Sequence, residues 1–236
     1  MNRFLEKPQL PSAAVTAVAI GQRYLSDFAP RLEHLGVEVF AVSGPEYLDC
    51  RLRDHADLLL LHTGSEQFLA AEGIELHNNF ININYVNLSR NDAALNICLL
   101  GTIWLGCPAY AAWRPVKLKC IAVRQRYARC STCIVDEHSI ITADHGVATA
   151  AKANGIDVLE ITPGHIILDG FNYGFIGGAS FKLAADKLAF TGSLRYHPNE
   201  ERILDFLKSR SIEPIYLREE PPVDIGSAVL LFEKSH

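Results

Sequence analysis

Short apolar runs that end in a small residue recur along the chain. They are Val18-Ala19-Ile20-Gly21, Leu60-Leu61-His62-Thr63-Gly64, Cys98-Leu99-Leu100-Gly101, Ile140-Ile141-Thr142-Ala143 and Ala189-Phe190-Thr191-Gly192, ending 43, 37, 42 and 49 residues apart. A second run follows each, at 36–39, 73–76, 117–120, 155–158 and 211–214. There apolar and charged residues alternate, and a period of two predicts strands.

Helix-like sequence lies between the two runs. The clearest case has Pro198 at the first helical position, Glu200 and Glu201 in the first turn, and Ile203, Phe206 and Leu207 on one face. Lys208 and Arg210 close it, so charges oppose the helix dipole at both ends. Residues 148–154, stopped by Asn154-Gly155, and residues 31–35 before Gly36 repeat the idea. The second repeat leaves room only for a short helix between Ser65 and Glu72, and the third, with Pro108 and Pro115, is the most irregular. A turn and one more apolar stretch then lead onward. The unit is strand, helix, strand, turn, strand, in five repeats near 14–56, 57–94, 95–137, 138–186 and 187–236 of one α/β domain. A propeller blade of similar length would hold four strands and no helix.

Composition narrows the class. At 236 residues, 49% hydrophobic and 21% charged, the chain is neither disordered nor a coiled coil. A net charge of −5 argues against a nucleic-acid partner. No apolar run approaches the ~20 residues of a membrane helix, and residues 1–8 hold no signal-peptide core. A cytoplasmic protein with reduced thiols is expected, its six cysteines needing no disulfide.

Five ββαβ-type units closing into a ring resemble the pentein fold of guanidino-group-modifying enzymes, a pseudo-fivefold α/β propeller. The elements that carry the likeness are Cys130-Ser131-Thr132-Cys133-Ile134-Val135, the stretch from Gly170-Phe171-Asn172-Tyr173-Gly174 through Gly177-Gly178-Ala179-Ser180, and Asp224-Ile225-Gly226-Ser227. Over essentially its whole length the chain is similar to an uncharacterised bacterial family assigned to that fold. The resemblance implies that repeat ends meet at the axis where a small substrate sits. Those ends carry Asp49-Cys50, Asn91-Asp92, Cys130 to Cys133, Asn172-Tyr173 and Asp224 to Ser227. Carboxylates and amides in a ring suit a planar guanidinium-like cation; turn formation alone also explains Asn, Asp and Gly there. Cys50, Asn91, Asp92, Asn172 and Asp224 are thus the candidate substrate contacts, and Asp92, Asn172 and Asp224 are expected to face one pocket.

The family's catalytic pattern is not met. Its enzymes use a Cys in the last repeat, a His in the third and nearby carboxylates. The nucleophile's place here falls on or beside Val229, no Cys follows Cys133, and the histidine's place falls near Tyr127. Two readings follow. In one, Cys130 is a relocated nucleophile of a C–N hydrolase or amidinotransferase-like enzyme acting on an arginine-like molecule, with His145 or His197 as proton carrier. Carboxylates would raise the thiol pKa, so a bound cation or a His must activate it; Cys130 should be solvent-reachable, a His nitrogen within ~4 Å or one water of its sulfur. In the other, the fold is a non-catalytic module that binds a metabolite or a macromolecular partner.

Remaining signals add little. Cys130-x-x-Cys133 has redox or metal spacing but lacks a second pair, and one or both thiols read as small core residues. Gly174-x-x-Gly177-Gly178 lacks a P-loop ending and reads as a turn and close-packed strand. His55, His62 and His77 have no partner at metal spacing and are expected at the surface or half-buried. No metal or cofactor is expected, and the sequence leaves the oligomeric state open.

Overall fold

The computed structural model describes residues 1–76 and 82–235, so His77 lies outside the described residues. In chain order the strands are β1 (Asn2–Phe4), β2 (Val15–Gly21), β3 (Glu38–Ser43), β4 (Leu60–Gly64), β5 (Gln67–Ala71), β6 (Glu75–Leu76), β7 (Asn82–Val86), β8 (Cys98–Leu100) and β9 (Ile103–Gly106). They continue as β10 (Lys119–Ala122), β11 (Thr132–Asp136), β12 (Ser139–Thr142), β13 (Asp157–Glu160), β14 (Ser180–Ala184), β15 (Lys187–Phe190), β16 (Glu213–Tyr216) and β17 (Val229–Lys234). The α-helices are α1 (Leu25–His34), α2 (Ala56–Leu59), α3 (Ala128–Ser131), α4 (His145–Ala153) and α5 (Glu200–Lys208).

Among the described residues, five sheets repeat one plan. A first strand pairs antiparallel with a middle strand, and the middle strand pairs parallel with an outer one. The sets are β17-β2-β3, β4-β5-β7, β8-β9-β10, β11-β12-β13 and β14-β15-β16. The first sheet also takes β1 against β17 and β6 against β3. Its first strand comes from the far end of the chain, with Val229 opposite Ala19, which closes the series. First strands face inward: β17 packs on β4, β8 on β11, and β11 on β14. Helices α1, α4 and α5 each supply the parallel crossover and bury one stripe, such as Ile203 and Leu207 of α5.

Five three-stranded sets of one plan are therefore present, framed differently from the repeats of the sequence reading. Runs at 18–21, 140–143 and 189–192 lie on or at the ends of middle strands, whereas those at 60–64 and 98–101 begin on first strands. A strand buried on both faces reads as an unbroken apolar run, so its place in the hairpin leaves no mark. The short helix expected between Ser65 and Glu72 is instead β5, reached by a tight hairpin with Gly64 and Ser65 at φ of 122° and 49°. The run at 73–76 ends in β6, which serves the first sheet. Cuts at 137 and 186 fall inside hairpins β11–β12 and β14–β15, so the last strand of each sequence repeat opens the next sheet.

Just before each first strand the chain turns across the axis, and there a ring of hydrogen bonds closes. Asp57 N–H donates to Gly226 O at 3.0 Å, Ser227 N–H to Gly178 O at 2.7 Å, and Gly178 N–H to Cys130 O at 2.8 Å. The fifth segment closes the circuit with a side chain. Asn96 Oδ1 accepts from Cys130 N at 3.2 Å and Arg129 N at 2.8 Å, and Asn96 Nδ2 donates to Asp57 O at 3.4 Å. Asn96 is fully buried, so no water can replace it. Asn96→Ala strands two N–H groups and should lower the unfolding free energy by roughly 2–4 kcal/mol in a denaturant titration.

Candidate active site at the axis

The ring positions the chemistry. His55 caps α2 and Asp57 sits in its single turn, while Arg129 and Cys130 sit in the single turn of α3; all four are buried. Asp224, on the loop before β17, accepts from Phe175 N at 2.8 Å and Gly226 N at 3.0 Å. Two glycines make the approach possible. A Cβ at Gly178 would lie 1.9 Å from Asp224 Oδ1, and one at Gly226, where φ is +69°, would lie 2.3 Å from His55 Cβ. Gly174-x-x-Gly177-Gly178 is accordingly a close-packing element around Asp224.

Around Cys130 the polar groups form one cluster. Its thiol donates to both Asp57 oxygens, at 3.0 and 3.2 Å, and receives Asn96 Nδ2 at 3.3 Å. His55 Nδ1 lies 3.7 Å from Asp224 Oδ1, and its Nε2 lies 3.5 Å from Tyr24 OH. Ligand atoms of His55, Cys130 and Asp224 all fall within 4.8 Å of one another. Cys130 is 3% exposed, yet with His55 and Asp224 it lines a cavity of about 80 Å³ walled by Tyr127, Phe171 and Phe175. Asp57 stands behind the sulfur, away from that lining. At the rim, Arg51 lies 4.4 Å over the Phe171 ring and donates to Gly170 O at 3.0 Å.

Burial sets the resting charges. Desolvation, with Asp57 and Asp224 adding to it, pushes the Cys130 thiol well above its usual range. Desolvation also lifts Asp57 to about 7, although Arg129 pulls the other way, and it lowers His55, which is therefore neutral. Arg129 is buried and spends its guanidinium on Thr132 O, Gly177 O, Ser180 O and Ser227 Oγ. The free site thus holds a neutral thiol and a neutral imidazole beside the carboxyl groups of Asp57 and Asp224. A nitrogen, a sulfur and carboxylate oxygens at this spacing are also a donor set that zinc accepts, once the thiol is deprotonated.

Of the residues expected from sequence, Cys130 and Asp224 meet in the cavity and the others do not. Asp92 lies beyond its wall, accepting from Tyr127 OH at 2.8 Å and pairing with Arg126. Asn91 donates to Tyr110 O. Asn172 lines an open groove of about 550 Å³ that shares Phe171 with the axial cavity. Asp92, Asn172 and Asp224 therefore do not face one pocket. Cys50 is exposed beside the Asp49–Arg51 pair. His145, at the start of an outer helix, is exposed and bonded to Glu160 at 2.8 Å. His197 is buried before α5, 5.5 Å from the His165 ring. Both lie in the outer layer and line no part of the cavity. The histidine that does is His55, 1% exposed rather than superficial; His62 is also buried, stacked on Phe68 at 4.3 Å. Cys133 belongs to the core. The sequence signal for His55 and Asp57 was their place immediately before an apolar run, which matches that of Asn96 and Cys130.

Residues 19–229 match a family described as a family of unknown function, DUF6873. No curated protein matches the chain. Solved structures do. An inosamine-phosphate amidinotransferase from Streptomyces griseus is 8% identical with a TM-score of 0.60, over 99% of this chain and 98% of that one. An amidinotransferase of the saxitoxin biosynthetic pathway from Microseira wollei is 11% identical at 0.55, over 91% and 90%. The agmatine deiminase of C. jejuni is 11% identical at 0.50, over 89% and 90%. At such identities the likeness establishes the fold, which is the pentein fold.

The raised Asp57 gives a pH signature. Its carboxyl ionises near 3.8 when unfolded and near 7 when folded, so the folded state holds a proton that the unfolded state releases. The Asp57 contribution to stability should fall as pH rises from about 4 to 7 and level off above, against the opposite contributions of His55, His62 and His197, whose pKa values burial lowers. Asp57→Asn should abolish that slope, gaining on the order of 3 kcal/mol relative to the parent between pH 4 and 8 in paired thermal melts.

Proposed function

The chain belongs to the DUF6873 family, and we propose that its axial cavity binds a guanidinium-type cation of an arginine-like small molecule and breaks one of its C–N bonds through Cys130. The observation that carries this reading is the convergence of a thiol, an imidazole and a carboxylate within 4.8 Å in a cavity of about 80 Å³, room for a guanidinium head but not its tail. The pentein fold, shared with amidinotransferases and deiminases, supports it. The open groove beyond Phe171 is where the tail would lie.

Each group has one task. Asp224 and the aromatic faces of Phe171, Phe175 and Tyr127 attract the cation. The cation's charge offsets the two carboxylates and lowers the thiol pKa, while Asp57, already hydrogen-bonded to the thiol, accepts its proton. The sulfur then attacks the guanidinium carbon. Neutral His55 relays a proton from solvent to the departing nitrogen, which leaves as an amine or ammonia, and later takes a proton from the water or amine that releases the amidino-cysteine. No helix of the described residues is long and apolar enough to cross a membrane.

A second reading is favoured by the neutral, carboxylate-bonded thiol: a site that binds the cation and does no chemistry. Alkylation of Cys130 against pH, followed by intact mass with and without arginine, agmatine and methylated arginines, separates the two. The enzymatic reading expects a slow thiol in the free protein and, with one of these ligands, a covalent adduct or a shift of the alkylation midpoint down by one pH unit or more. Cys130→Ser should remove the adduct and any turnover. A thiol inert under every condition would leave only the binding reading.

A further inference from the structure

Among the described residues, Lys182 is the one lysine that the fold takes inside. It lies mid-strand in β14, a run of five buried residues, and is itself 3% exposed. Among the described residues no carboxylate lies in ion-pair contact with it. Its Nζ instead donates to two backbone carbonyls, Val135 O at 2.9 Å and Ala185 O at 2.8 Å. Irregular pairing in both strands frees those carbonyls, since the register slips between Ile134 and Asp136 and again between Lys182 and Ala184.

An amine nitrogen so placed has one position left. When charged it carries a third N–H without an acceptor; when neutral, it carries a lone pair there. Lys182 lines a cavity of about 240 Å³ that shares no residue with the axial one. Leu10, Pro11 and Ala185 form apolar walls, and Glu6, Asp136 and Glu137 stand at the acidic side, Glu137 paired with Lys7. Glu233, also in the wall, is spent on Ser12, Ala13 and Arg3. Burial lowers the Lys182 ammonium to about 8, so a usable fraction is neutral near physiological pH.

We propose that Lys182 is a carbonyl-reactive site, whose amine condenses with a small neutral or amine-bearing aldehyde admitted to this cavity. The lone pair attacks the aldehyde carbon and the carbonyl oxygen takes up a proton. The nitrogen then sheds a proton as the hydroxyl leaves as water, giving an imine. Protonated, the imine keeps one N–H for a backbone carbonyl, and the surrounding carboxylates stabilise its charge. The same carboxylates disfavour an aldehyde that carries an acid, and they disfavour the anionic carbamate that carbon dioxide would form.

The test is reductive trapping of the native, full chain with propanal and cyanoborohydride at pH 7, read by peptide mass mapping. Lys182 should be labelled on the order of tenfold faster than Lys187, exposed on the adjacent strand, with a rate midpoint near pH 8, and urea should erase the preference. Cys130→Ser should leave the labelling unchanged, separating this site from the axial chemistry. Lys182→Arg should lose only this label, while mapping of the parent protein stands even if that variant misfolds. Labelling of Lys182 at or below the Lys187 rate in the native chain, or a midpoint near that of a free lysine, would overturn the proposal.

Discussion

Five chain segments arrive at one axis carrying peptide groups that water cannot reach, and each must find its partner in the next. That requirement shapes the molecule. Asp57 bonds to Gly226, Ser227 to Gly178, Gly178 to Cys130, and Asn96 joins Cys130 back to Asp57. Once the ring exists, the side chains at its corners have fixed directions. The thiol of Cys130 meets Asp57, Asp224 turns toward His55, and Arg129 lies within the protein on backbone carbonyls. A ring of backbone bonds is a rigid mount, and groups held this way lose little further freedom when a ligand arrives.

The electrostatics follow from the same closure. Buried carboxylates beside a buried thiol disfavour further negative charge, so the free site rests with its proton on sulfur. In the proposed reaction a cation entering the cavity would relieve that tension and allow the thiolate to form. Binding and activation would then be one event, and a reactive sulfur would not need to be exposed between turnovers. Arg129 supplies a permanent positive charge that keeps Asp57 from rising further, which leaves this carboxyl near neutrality, where a proton acceptor is most useful.

Much of the fold was legible in the sequence because its first and middle strands are largely buried on both faces and its better helices carry end signals. Glu200 and Glu201 at the start of α5 and Lys208 at its end mark that helix plainly, and the Asn154-Gly155 stop marks the end of α4. The strand frame was not legible, because Leu60 and Cys98 open runs as apolar as those of the middle strands. At the site, Cys130 and Asp224 stood out as repeat ends. His55 and Asp57 did not, since a His and an Asp ahead of four leucines read as an ordinary surface turn until the ring is seen to bury them. His145 and His197 drew attention through local turns that belong to the outer layer.

The central claim is that the axial cavity is a guanidinium site with the Cys130 sulfur facing the guanidinium carbon. Its most direct test is a crystal structure of the Cys130→Ser protein soaked with agmatine or arginine. The account predicts a planar head in the cavity, hydrogen-bonded to Asp224, flanked by Phe171 and Tyr127, and with its carbon within ~3.5 Å of the residue 130 side chain. A cavity left to solvent while the ligand binds elsewhere, or a head bound with its carbon turned away from residue 130, would contradict it.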